Sequence, residues 1–417
     1  MEYSKRALVY KNADTSKGSY AILGNMYDPI KNPEGIVNLA RADNELCEDL
    51  IYEKIGKPDS FKYEPWMQYY YDLFGVKSVR EALAKFFQKR FKSHEEIDPK
   101  NLAITLGCQA AMDLMFFLIT DPGDCVLITA PFYSTIVEDM MRLEVKLFHV
   151  LPSDENFKIS SKEFEKAFQE AQSQGLKVKA AYIINPDNPT GRAWTKAELE
   201  DILEFSKRHD LHTVVNEIYA LSPVKPDSSF CSVLSVPEVP QPLKTHFLWS
   251  FSKDFGLSGL RCGVIHTKLD FSSFGTLFYM ESPSTVVQVA MSRMISDEEW
   301  LDETYFPANQ KRMSDAYRMV FDSLKSVGAE PFPQCQGGFF VWTNFNKILK
   351  SKTVEEEMKL FNVFLKHGVY VKAGSTYHCP FPGWFRIIFT YSTKETKIGL
   401  ERIKKAVLSY KAELAEK

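Results

Sequence analysis

Five short apolar runs, at residues 102–105, 125–129, 180–184, 212–216 and 246–249, alternate with segments of helical period between about residue 78 and residue 270. A run of four or five apolar residues is too short for a core helix and suits a strand buried on both faces. Strands of that kind need helices to cover them. Residues 197–208 supply one, with Leu199, Ile202, Leu203 and Phe205 on a single stripe, and 162–172 repeat the arrangement more weakly. The expected architecture is α/β: a mostly parallel sheet with helices on both faces.

After residue 285 the character changes. A long helical stretch to about residue 325 precedes a strand at 338–343, a helix at 354–367 and strands near 369–372 and 385–390. That order predicts a smaller α+β domain. The division expected is an N-terminal arm at 1–50 joining the small domain, a large domain at 51–285 and the small domain at 286–417.

With 417 residues, 45% hydrophobic and 25% charged, the chain can bury a large core. Its net charge of −3 gives no electrostatic case for nucleic acid or an anionic membrane surface. The lysines of 404–417 are interleaved with Glu and Leu, as on an amphipathic helix with one solvated face. Seven cysteines without a C-x-x-C pair suit a reducing compartment, and the charged first residues show no secretory signal, so a cytoplasmic protein is expected. No apolar stretch approaches the ~20 residues of a membrane span. Eight histidines lack ligand spacing, His209 and His212 read as surface or packing residues at a helix-to-strand junction, and no metal site is expected.

Two segments that follow apolar runs carry chemistry. The first reads Ser250-Phe251-Ser252-Lys253-Asp254-Phe255-Gly256-Leu257-Ser258-Gly259-Leu260-Arg261-Cys262-Gly263. A lysine delivered by a strand into a turn of small residues is placed to condense with an aldehyde, and the planar fork of Arg261 can meet a phosphate. The second reads Asn185-Pro186-Asp187-Asn188-Pro189-Thr190-Gly191, a loop stiffened by prolines from which Asn188 can offer an amide. Taken singly, each is an ordinary turn; together and in this order they carry a resemblance. The chain resembles the pyridoxal-phosphate aminotransferases of fold type I, class I/II. No G-x-G-x-x-G opens a βαβ unit, which sets aside a dinucleotide-binding dehydrogenase.

The resemblance implies pyridoxal 5'-phosphate as cofactor, an α-amino acid as small-molecule substrate and a homodimer with active sites at the subunit interface. It makes Lys253 the cofactor-linking lysine and the general base at Cα. Cys108 and Gln109, at the start of a helix expected at 112–119, would cradle the cofactor phosphate with Ser250, Ser252 and Arg261. Tyr133 would stack on the pyridine ring, while Tyr219 and Asn188 would hydrogen-bond its phenolic oxygen. Arg386, carried into the apolar strand Phe385-Arg386-Ile387-Ile388, would capture the substrate carboxylate together with Asn188. A structural salt bridge is the competing reading for that arginine.

Within the family the likeness is to 1-aminocyclopropane-1-carboxylate synthases and their fungal-type relatives. It rests on Leu39-Ala40-Arg41-Ala42-Asp43-Asn44-Glu45-Leu46, Glu217-Ile218-Tyr219-Ala220-Leu221-Ser222, Ser252-Lys253-Asp254 and Pro382-Gly383-Trp384-Phe385-Arg386. Asp43 falls where the synthases have a glutamate near the substrate. Their tyrosine before Gly75 aligns with Leu73, beside Tyr70 and Tyr71, and Asn-Pro-Thr-Gly replaces their usual Asn-Pro-Leu-Gly. The departure with most chemical weight is Asn216, which stands where the family has an aspartate paired with the pyridine nitrogen. A neutral amide donates a hydrogen bond but supplies no negative charge, so the ring nitrogen is expected to lose protonation. The leading expectation is a lyase-type elimination of a β or γ leaving group. Transamination to a 2-oxo acid is the alternative, and a catalytically degenerate cofactor-binding protein is the rival from another class.

Overall fold

The computed structural model describes residues 3–4, 7–8, 22–70 and 72–415. In chain order its first strands are β1 (Val37–Asn38), β2 (Leu102–Thr105), β3 (Cys125–Thr129), β4 (Lys146–Val150), β5 (Val178–Ile184), β6 (His212–Asn216), β7 (Thr245–Ser250) and β8 (Gly263–Thr267). Five more follow: β9 (Glu330–Pro331), β10 (Phe340–Asn344), β11 (Val369–Tyr370), β12 (Lys372–Ala373) and β13 (Trp384–Ile388).

Seven strands form the larger sheet in the order β2-β8-β7-β6-β5-β3-β4. All neighbours are parallel except β8, which runs antiparallel to both β2 and β7. The two-residue period of a strand sorts its side chains between two apolar layers. Ala181 and Ile183 of β5, Leu127 of β3 and Phe247 and Trp249 of β7 enter one core. Tyr182 and Ile184, Ile128 and Leu248 enter the other. All five expected strands are present. Two were missed: β4, an edge strand opening on exposed Lys146, and β8, which carries His266 and Thr267.

The covering helices start where local chemistry permits. Thr195 accepts the Glu198 N–H while the Glu198 carboxylate accepts the Thr195 N–H at 2.9 Å, a reciprocal cap that opens the Lys196–Arg208 helix. Ser160 and Glu163 do the same for Ser161–Ser173. The lysine-rich C-terminal segment belongs to the helix Thr393–Ala415; residues 416 and 417 lie outside the described residues. Among the described residues no helix is long and apolar enough to cross a membrane, and no group of three His, Cys, Asp or Glu side chains could hold a metal ion.

The smaller sheet is antiparallel, in the order β12-β13-β10-β9. Beside it β1 pairs in parallel with β11, so Val37 and Leu39 pack in the same core as Val369, Val371 and Phe385. The change of core falls later than the expected boundary at 285. Ala290, Met291 and Met294 of the helix Thr285–Ile295 pack against the larger sheet, whereas Met313, Tyr317 and Val320 of Phe306–Ser326 belong to the smaller one.

Aromatic rings dominate the layer beneath β7. Phe87 is fully buried, with its ring centroid 5.4 Å from Trp249, 5.2 Å from Phe247 and 5.2 Å from Phe91, all edge to face. Phe87→Ala is expected to destabilise the fold by about 3–5 kcal/mol, read as a lower denaturant midpoint with little change in slope. A loss below about 1 kcal/mol would show that the layer collapses into the gap.

Candidate active site

Between the carboxyl ends of the parallel strands and the smaller sheet lies a cavity of about 460 Å³. Its place beyond the strand ends is where α/β sheets bind ligands. Lys253, Tyr219, Cys108, Gln109, Tyr133, Asn188, Asn216, Ser252, Arg261 and Arg386 all line it.

Lys253 sits in the one-turn helix Phe251–Asp254 at the end of β7. The next residue fixes the turn. Asp254 is wholly buried, its carboxylate accepting from Trp249 Nε1 at 2.8 Å and Ser222 Oγ at 2.6 Å, while its carbonyl accepts from Tyr305 Oη at 2.6 Å. Lys253 Nζ donates to the Ala42 carbonyl. Burial pulls its ammonium down to about 8; Asp43 pushes the other way, and Arg386, Arg261 and Arg41 add to the fall. Ser250 stands apart from the lining: it is buried and caps the same short helix, accepting the Ser252 N–H.

The helix Cys108–Ile119 begins directly after Gly107, whose φ of +86° is a conformation glycine adopts without strain. A Cβ on Gly107 would lie 2.6 Å from Arg261 Nη2, and one on Gly263 would lie 2.4 Å from the Gly107 carbonyl carbon. Two glycines thus let the helix start, the β8 backbone and the Arg261 guanidinium converge. Arg261 is held by the carbonyls of Ser258 at 2.9 Å and Leu106 at 3.0 Å. The Cys108 and Gln109 side chains turn elsewhere, to Asn216 and Asp139, so what this corner offers an anion is the N–H groups of the helix start.

Arg386 is 3% exposed on β13. Its Nη1 donates to Asn188 Oδ1 at 2.9 Å, Nη2 donates to the Ala40 carbonyl, and its guanidinium lies over the rings of Tyr377 (5.0 Å) and Phe340 (5.3 Å). Nε has no partner, and among the described residues no carboxylate pairs with this arginine. A buried cation so arranged is short of an anion, which an incoming carboxylate supplies. The loop that holds Asn188 is fixed by Thr190 Oγ1 donating to Asp187 at 2.6 Å, and by Gln336 and Gly337 donating to the Gly191 carbonyl at 2.7 and 3.1 Å.

Tyr219 is buried edge-on to Phe339 and Phe340, and burial raises its hydroxyl well above the usual phenol range. Tyr133 is 42% exposed at the rim. Asp43 does not line the cavity; Arg41 pairs with it at 2.5 Å and Ser258 Oγ donates to it at 3.2 Å. Tyr70 stacks edge-on with Tyr279, Leu73 packs against Gly275, and Tyr71 lies outside the described residues. Sequence reasoning missed Asp139, Tyr182 and Tyr377. Burial raises the Asp139 carboxyl to about 6, against the pull of its hydrogen bond from Gln109. A signal existed for Tyr182, a hydroxyl in an otherwise aliphatic strand that must find a partner. None existed for Tyr377, the last residue of the one-turn 3-10 helix Gly374–Tyr377.

The profile of "Aminotransferase class I and II" matches residues 64–403. A bovine protein named 1-aminocyclopropane-1-carboxylate synthase-like protein 1 is 34% identical over 400 residues, covering 94% of this chain and 79% of its own length. A mouse protein named probable inactive 1-aminocyclopropane-1-carboxylate synthase-like protein 2 is 33% identical, covering 96% and 71%. 1-Aminocyclopropane-1-carboxylate synthase 8 of Arabidopsis thaliana is 32% identical, covering 92% and 85%. Among solved structures, an aromatic aminotransferase from Pyrococcus horikoshii superposes with a TM-score of 0.75 at 22% identity, over 90% and 96% of the two chains. The chain belongs to the class I and II aminotransferase family. It is a pyridoxal-phosphate-dependent enzyme of fold type I. The cavity fits that cofactor: a lysine amine with a lowered pKa, a helix start facing Arg261, and a buried guanidinium with an unpartnered Nε.

Lys253 is expected to be trapped by pyridoxal phosphate and borohydride as a group titrating near pH 8, since only the neutral amine attacks an aldehyde. The yield of modified Lys253 peptide, measured by mass spectrometry, rises with pH and is half-maximal near that value. A midpoint near the ordinary lysine value of about 10.4 would contradict the desolvation argument.

Proposed function

We propose that the chain acts at the α-carbon of an amino acid and expels a leaving group from Cβ or Cγ. The observation that carries this reading is the neutral Asn216 in the position where the family aspartate pairs with the cofactor ring. Bound in the cavity, pyridoxal phosphate supplies an aldehyde for the substrate amine and a ring that draws electrons from Cα. Lys253 takes the Cα proton, its neutral form being accessible near pH 8. Arg386, oriented by Asn188, binds the α-carboxylate. Tyr219 and Asn188 would donate toward the phenolic oxygen, Tyr133 would cover the ring, and Arg261, Ser252 and the helix start at Cys108 and Gln109 would hold the phosphate. Ser250 acts through the turn it caps.

A sulfonium substrate such as S-adenosylmethionine is disfavoured. Among the described lining residues, the cations not assigned to cofactor or substrate are Arg41 and Lys372, against one carboxylate, Asp139. Asp43, at the synthase glutamate position, is already engaged by Arg41. Substrates with a neutral or anionic leaving group, such as a cysteine conjugate, fit this field better. Transamination is the second reading, favoured by the family itself.

A homodimer is proposed as well. Tyr69, Tyr70, Leu73, Tyr279 and Met280 are exposed by 67, 85, 43, 37 and 66%, an apolar grouping of the kind that marks an interface. It lies next to the phosphate corner, where Leu106 N donates to the Glu281 carbonyl. Seven cysteines without paired spacing suit the cytoplasm.

The absorption spectrum during turnover separates the chemistries. Persistence of the aldehyde form of the cofactor while a cysteine conjugate releases its thiol supports elimination; conversion to the amine form by alanine alone would overturn it. Asn216→Asp is expected to raise transamination more than elimination, and equal or opposite changes in the two rates would sink that argument. Arg386→Ala is expected to weaken amino-acid binding by about tenfold to a hundredfold with cofactor affinity unchanged. Loss of the cofactor instead would assign the arginine a structural role.

A further inference from the structure

Three contacts of different kinds hold the Asn216 side chain. The backbone N–H of Ile218 meets Oδ1 at 3.2 Å, and because a backbone N–H only donates, this contact fixes which end of the amide is oxygen. The Cys108 thiol donates to the same oxygen at 3.3 Å. Nδ2 donates to the Tyr182 hydroxyl at 2.8 Å. An amide oxygen has two acceptor positions and the nitrogen two hydrogens. Both acceptor positions are taken and one hydrogen is spent, so the side chain has one N–H left to give.

Among the described residues, no carboxylate makes a hydrogen bond to the Asn216 side chain. Asn216, Cys108 and Tyr182 line the cavity together, and Tyr182 is buried. Asp139, the one carboxylate among the described lining residues, lies near enough to Tyr182 to act on it by charge, but its Oδ1 accepts from Gln109 at 2.7 Å and none of the three contacts to Asn216 comes from it. A ligand atom facing Asn216 therefore meets a donor. A ring nitrogen with a lone pair can accept from it; a protonated ring nitrogen cannot, and would bring a positive charge against a positive dipole end.

We infer that Cys108 and Tyr182 are positioning residues that lock the Asn216 amide with its remaining N–H toward the cofactor, so that the site selects pyridoxal phosphate with an unprotonated ring nitrogen. This rests on the cofactor assignment and on Asn216 standing at the ring-pairing position. It goes beyond the loss of a carboxylate: the amide is oriented, by the thiol of Cys108 and the hydroxyl of Tyr182, to favour one protonation state.

The test compares two ligands on the apoenzyme. Pyridoxal phosphate is titrated alongside its N-methylpyridinium analogue, whose ring is permanently charged and has no lone pair, and both are followed by absorption and protein fluorescence. The native chain is expected to prefer the natural cofactor by about tenfold or more. In Asn216→Asp, nearly identical in size, the preference narrows or reverses, because a carboxylate welcomes the charge. Tyr182→Phe keeps the ring volume but frees the amide, and is expected to lower the native preference. The 15N resonance of ring-labelled pyridoxal phosphate provides a readout independent of catalysis: unprotonated in the native chain, protonated in Asn216→Asp. Equal affinity for the two ligands, a preference unchanged in Asn216→Asp, or an identical ring resonance in both proteins would overturn the inference and leave the cofactor assignment standing. An unchanged preference in Tyr182→Phe would overturn the positioning role. Failure of both ligands to bind would overturn the cofactor assignment itself.

Discussion

The buried Asp254 is the fixed point of this molecule. Its carboxylate is shared between Trp249 at the end of β7 and Ser222 in the loop after β6, and its carbonyl is tied to Tyr305. A carboxyl in such a place is costly unless hydrogen-bonded, and burial raises it to about 7. The outcome is geometric. Lys253 precedes it in a turn of only four residues, so the direction of the lysine is set by three elements that meet at Asp254. A nucleophile on a rigid element keeps its reach when other parts of the site adjust.

Around that point the two sheets contribute opposite halves. The larger sheet brings the amine, the helix start and Arg261 from its strand ends. The smaller sheet brings Arg386, whose charge is carried in a layer of aromatic faces and backbone carbonyls. The halves are not free of one another: the Gly191 carbonyl takes hydrogen bonds from Gln336 and Gly337, and Asn188, three residues earlier, holds Arg386. The two sheets are thus linked at the cavity through one short loop.

Much of this is legible in the amino-acid sequence, and what is not has physical causes. Strands buried on both faces announce themselves as nearly unbroken apolar runs, which is why β2 and β3 have clear limits. An edge strand such as β4 has no need of that composition. Lys253, Asn188, Arg261 and Arg386 can be singled out because each lies in a short motif whose spacing is set locally. Asp139 and Tyr377 come to the cavity by tertiary packing alone. Ser250 and Asp43 show the converse, since closeness in sequence to a functional residue does not say which way a side chain turns. The boundary of the second core is blurred for a similar reason: Thr285–Ile295 and Phe306–Ser326 are both amphipathic, and nothing in either stripe says which sheet it will meet.

The parallel pairing of β1 with β11 has a consequence for the order in which the site comes into being. Lys253 Nζ rests on the carbonyl of Ala42 and Arg386 on that of Ala40, both just beyond β1, yet β1 has no partner until Val369 and Tyr370 have been made. During synthesis the larger sheet, whose last strand ends at Thr267, can close while the segment that completes the pocket waits for more than 100 further residues. The half of the cavity that holds the lysine is thus assembled first, and the half that holds the buried Arg386 arrives only near the end of the chain.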